Sequence, residues 1–87
     1  MKLFATISYG DDGWKSAVSV TGTKHQIVEH LFWLARTMDK SNGTYVEYVL
    51  EDTSDEPYNP GLVIRSQDAH GERDFVVIAF LLPAVEL

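Results

Sequence analysis

TKHQIVEHLFWLARTMD, residues 23–39, decides the fold because it carries a helical period. At about 100° per residue, Ile27, Val28, Leu31, Leu34, Ala35 and Met38 gather into one apolar stripe. Thr23 and Gln26, three residues apart, form a capping-box pair in which each side chain satisfies a backbone N–H at the helix start. A helix is therefore expected from Lys24 to about Asp39, with Lys40 suited to the negative end of its dipole and Ser41-Asn42-Gly43 as its stop. Trp33 breaks the regularity. It falls nearly opposite the stripe, among Gln26, Glu29, His30 and Thr37, where a large aromatic is either covered by another part of the chain or held out for a partner.

Outward from the helix the chain reads as strands. Lys2 to Tyr9 alternates, with Leu3, Ala5 and Ile7 on one side and Phe4, Thr6 and Ser8 on the other. Gly10-Asp11-Asp12-Gly13 is a turn, and Trp14 to Thr21 is expected to return as one strand with Trp14, Ser16, Val18 and Val20 on a common side. Beyond the helix, Thr44 to Leu50 is rich in β-branched and aromatic residues, Glu51 to Pro60 is an acidic, proline-containing loop, and Gly61 to Ser66 is a short strand. The turn Asp68-Ala69-His70-Gly71 leads to a last strand, about Arg73 to Leu82. The expected architecture is α+β, ββαβββ, one amphipathic helix packed on a small, curved, mainly antiparallel sheet within a single domain spanning residues 1–87.

The last strand is apolar on both faces: Phe75, Val77, Ala79 and Leu81 point one way, Val76, Ile78, Phe80 and Leu82 the other. One helix covers one face of a sheet. The other face must close into a barrel, be covered by tail and loops, or meet a second subunit, so a homodimer stands beside a strongly curved sheet as an expectation.

At 87 residues the chain can bury about 60 to 65% of its unfolded surface, enough for one helix on one sheet. Its 45% hydrophobic and 23% charged residues argue against a wholly disordered chain. No cysteine is present, which removes disulfides, thiolate metal sites and cysteine nucleophiles. The N-terminal residues lack the apolar run of a secretion signal and Phe75 to Pro83 is too short to span a bilayer, so a cytoplasmic protein is the expectation. The net charge of −6 is uneven: residues 1–40 carry five bases against four acids, residues 41–87 two bases against nine acids. Such a balance repels nucleic acids and anionic membranes and attracts a basic protein surface, although it is also the ordinary dress of a dispersed protein.

Chemical constellations are sparse. His25, Glu29 and His30 could contribute to a metal site only with ligands such as Asp68 and His70, and the spacing is no metal signature, so no metal or cofactor is expected. Asp11 and Asp12 sit in a wet turn, unsuited to raising a carboxyl pKa or to cradling phosphate. None of the serines lies in a nucleophile-elbow pattern, and the chain is expected not to be an enzyme.

The remaining features point to recognition. Trp33, flanked by His30 and Thr37, is a candidate anchor, and Glu51, Asp52, Asp55 and Glu56 with Tyr58 are candidate contacts to a basic groove, the acids standing for phosphates and the tyrosine for a stacking base. The leading expectation is a stoichiometric inhibitor of a nucleic-acid-handling complex, acting by occlusion or DNA mimicry. Anti-CRISPR, anti-restriction and immunity proteins offer an analogy of size and charge only. A dimeric small-ligand module or small enzyme, and a structural assembly subunit, are the alternatives.

Overall fold

The computed structural model describes residues 2–10, 13–39, 47–67 and 75–84. Their elements are β1 (Leu3–Gly10), β2 (Lys15–Ser16), β3 (Val20–Gly22), α1 (Lys24–Met38), β4 (Glu47–Asp52), β5 (Gly61–Gln67) and β6 (Val76–Pro83). One open sheet runs β2-β1-β6-β5-β4, with β3 also paired to β1, and every pairing is antiparallel. The expected α+β arrangement of one helix on one sheet is what forms. The sheet stays open rather than closing as a barrel, with β4 at one edge and β2 and β3 at the other.

The expected single strand from Trp14 to Thr21 is in fact two short strands. Ser16 pairs with Ser8 and Lys15 with Tyr9, whereas Val20 pairs with Ala5 and Thr21 with Phe4, so one extra residue lies between the two registers. The excess is a β-bulge around Val18 and Ser19, opposite Thr6. Alternation reverses across it: Ser16 faces away from the helix with Ser8, and Val20 faces toward it with Ala5. Simple alternation would have placed Ser16, Val18 and Val20 together.

Helix α1 starts as its sequence dictates. The Gln26 N–H donates to the Thr23 hydroxyl at 3.2 Å, and the Thr23 N–H donates to Gln26 Oε1 at 2.9 Å. Gly22 permits this, since a Cβ there would stand 2.7 Å from Gln26 Oε1. Ile27, Leu31, Leu34 and Ala35 are buried against Ala5 and Ile7 of β1, Leu62 and Ile64 of β5, and Val77, Ala79 and Leu81 of β6. Fully burying a side chain such as Leu31 or Ile64 contributes about 1.5–3 kcal/mol, and this layer carries the fold. Ser66, buried beside it, is satisfied: its hydroxyl accepts from the Phe75 N–H at 2.8 Å, and its own N–H donates to the Phe75 carbonyl at 2.8 Å.

The two faces expected of the last strand are seen. Phe75, Val77, Ala79 and Leu81 are buried under the helix, while Phe80 and Leu82 on the opposite face are 53% and 55% exposed. The acidic loop is shorter than expected, because Glu51 and Asp52 extend β4 and pair with Val63 and Leu62. It begins at Thr53, whose N–H donates to the Gly61 carbonyl at 3.0 Å, while the Gly61 N–H returns a 3.3 Å bond to the Thr53 carbonyl. The Ser41-Asn42-Gly43 stop, residues 44–46 and the turns at Asp11-Asp12 and Asp68–Gly71 lie outside the described residues.

Candidate functional site

Trp33 is 55% exposed, on the side of α1 away from the core. Its ring stacks on His30, with centroids 5.5 Å apart and planes at 29°, an (i, i+3) pair on one helix face. Thr37, one turn on, is exposed. Beyond this row the helix meets the bulged edge of the sheet, leaving an open groove of about 440 Å³. Tyr9 of β1, Ala17 and Val18 at the bulge, and Trp33, Leu34 and Met38 of α1 give it an apolar lining, with Ser16 and His30 as polar members.

Each wall has a local cause. Tyr9 is braced by Phe75, ring centroids 6.0 Å apart. The Ala17 N–H donates to the Ile7 carbonyl at 3.0 Å, pinning the segment just before the bulge, after which Val18 projects 83% exposed. The bulge thus turns an apolar side chain toward solvent beside an exposed tryptophan. Trp33, His30 and Thr37 are legible from the helical pattern, whereas Tyr9, Ala17 and Val18 arrive from another part of the chain and are not. The signal available was the exclusion of Trp33 from the helical stripe.

The acidic residues form no second wall of this groove. Arg65 Nε donates to Glu51 Oε1 at 3.0 Å across β4 and β5. Asp52 pairs with Lys24 at the start of α1 and accepts from the Ser54 hydroxyl at 2.6 Å and the Ser54 N–H at 2.9 Å. Those hydrogen bonds, Lys24 first, hold the Asp52 carboxyl down at about 2. Asp55, Glu56 and Tyr58 face outward in the connection, Tyr58 with 91% of its surface open. This connection sits beside β4 and the start of α1, whereas the groove lies along the second half of α1 at the opposite edge of the sheet. The structure separates the two sets of candidate contacts.

No known protein family, curated protein or solved structure matches this chain. Its own geometry must therefore carry the reading. His25 and Glu29 meet at 3.0 Å on the open side of α1, and among the described residues no group of three or more metal-ligating side chains converges. Asp68 and His70 lie outside those residues. Among the described residues, too, no helix is long and apolar enough to cross a membrane.

Proposed function

We propose that this chain is a non-enzymatic binding domain whose groove beside Trp33 receives an apolar segment of a protein partner. The observation that supports this is the joint exposure of Trp33 and Val18, which line one groove together with Tyr9. Exposed tryptophan in an apolar recess is the composition of interface hot spots, which combine a rigid aromatic with a desolvated surround. The net charge of −6 steers the domain toward a basic surface. Asp55, Glu56 and Tyr58 meet such a surface at its edge, while Glu51 and Asp52 are engaged within the fold.

A cytoplasmic partner that handles nucleic acid presents a basic surface of this kind. Occlusion of it would make the domain a stoichiometric inhibitor in the manner of anti-CRISPR, anti-restriction or immunity proteins. Occlusion fits better than imitation of a phosphate backbone, because two of the three acids of β4, Glu51 and Asp52, are paired within the fold.

A second reading has one observation of its own. The groove volume falls within the ~300–1,000 Å³ of small-ligand sites, so an apolar, planar small molecule could lie against Trp33. Affinity capture from the native host with the intact chain and with Trp33→Ala separates the two. A protein retained by the first, lost by the second and released by salt supports the binding domain. A protein captured equally by both removes the groove from the contact. Native mass spectrometry showing a bound small molecule lost in Trp33→Ala favours the ligand reading.

A further inference from the structure

The sheet face turned away from α1 is a second apolar surface, independent of the groove. Its centre is β6, where Val76, Ile78, Phe80 and Leu82 stand in a row, flanked by Phe4 on β1 and Val63 on β5. Thr6 and Ser8 on one side, and Glu47, Val49, Glu51, Arg65 and Gln67 on the other, belong to the same face. An apolar stripe on the middle strand with mostly polar residues toward the edges, Val49 of β4 excepted, approaches the core-and-rim layout of an interface.

We infer that this face binds a second copy of the same chain, sheet against sheet. Charge argues for self-association rather than for a basic partner. Within the strands the charged side chains of this face are Glu47, Glu51 and Arg65, and Glu51 is bonded to Arg65. A chain of charge −6 therefore presents here a surface close to neutral, where two like-charged molecules can meet with little repulsion.

Position and area argue the same way. Since β6 is the middle strand of the order β2-β1-β6-β5-β4, a two-fold axis through it lays one stripe on the other, as an isologous contact requires. Four long strands spaced ~4.8 Å apart, with up to eight residues at ~3.3 Å each, offer roughly 500 Å² per copy, so a dimer buries about 1,000 Å², the size of a weak, reversible interface. Aligned sheets packed ~10 Å apart then sandwich Phe80 and Leu82 between two helical layers. The groove beside Trp33 stays open in such a dimer, because it lies on the other face.

Sedimentation equilibrium of the full chain from about 1 μM to about 1 mM tests this. The expected result is a reversible species of twice the monomer mass. Phe80→Glu places an unpaired carboxylate in the stripe and is expected to raise the dissociation constant roughly a hundredfold or more, with the far-UV spectrum unchanged. Thr6→Lys, directly opposite Phe80 in the sheet and outside the core, is expected to weaken the dimer in the same way, which guards against a folding defect in the first variant. Trp33→Ala is expected to leave the dimer intact. A strict monomer throughout, a dimer that survives Phe80→Glu and Thr6→Lys, or a dimer lost with Trp33→Ala would each overturn the inference while leaving the groove reading to its own test.

Discussion

The Tyr48 hydroxyl donates a 2.8 Å hydrogen bond to Oδ2 of Asp39, the residue that caps the C-terminus of α1. The bond joins the end of the helix to β4, the edge strand on the far side of the core, and so fixes where the helix lies across the sheet. Burial, then the Asp39 hydrogen bond and its negative charge, push the Tyr48 phenol up to about 12. A raised pKa means that the neutral phenol is the form the fold favours. Its contribution is present below the ordinary value of 10.0 and is lost as pH rises through about 12. Ultraviolet titration is expected to show a late phenolic transition that is absent in Tyr48→Phe, and that variant is expected to lose about 1 kcal/mol at neutral pH. If the phenol lost in Tyr48→Phe is instead one that ionises near the ordinary value of 10.0, the bond is absent in solution.

At the other end of the helix, Asp52 provides the acid counterpart. Its carboxyl is lowered from 3.8 to about 2 by hydrogen bonds from Lys24 and Ser54, so the charged form is the one the fold favours. That stabilisation is present above the unfolded value and drains away as pH falls through about 2. Asp52→Asn is expected to flatten the loss of stability between about pH 4 and pH 2, measured by urea unfolding at each pH. The pair is largely exposed, so the cost at pH 7 should stay within ~1 kcal/mol.

Trp33 and Leu31 lie two positions apart on one helix and should behave oppositely. Leu31 is fully buried, and Leu31→Ala is expected to cost about 2–5 kcal/mol through lost packing and the cavity left behind. Trp33→Ala removes an exposed ring and is expected to change stability by about 0.5 kcal/mol or less while abolishing binding at the groove. Thermal unfolding of both variants, set beside partner capture, checks the contrast. A large stability loss in Trp33→Ala would assign the tryptophan to the fold instead.

Local patterns in the chain carried much of this architecture. The stripe from Ile27 to Met38, the Thr23–Gln26 box and the two faces of Phe75–Leu82 were legible because period and spacing are properties of neighbours in sequence. The reversal of alternation between Ser16 and Val20 was not legible, since a bulge is defined by the register of two strands against a third. The pairing of Asp52 with Lys24 escaped for the same reason: twenty-eight positions of chain separate them, and only the fold brings them together. Acidic composition therefore overstated how much of the loop faces outward. Trp33 was visible as an anomaly, whereas its groove required the bulge.

The bulge itself supplies the last prediction. Ser16 pairs with Ser8 and Val20 with Ala5, so removing one residue between them leaves both pairings available in a single continuous register. Deletion of Val18 is therefore expected to preserve the fold, with stability altered by no more than about 1 kcal/mol, because the lost side chain is exposed and the extra residue interrupts the ladder. The groove should not survive so well. Without Val18 it loses part of its apolar lining, and fluorescence titration with an apolar aromatic probe is expected to show binding weakened at least about tenfold, comparable to Trp33→Ala. A deletion variant that folds and binds the probe as before would mean that the bulge shapes no site. One that unfolds outright would mean that the irregularity is required by the sheet, and that the pairing of β2 and β3 along β1 depends on more than register.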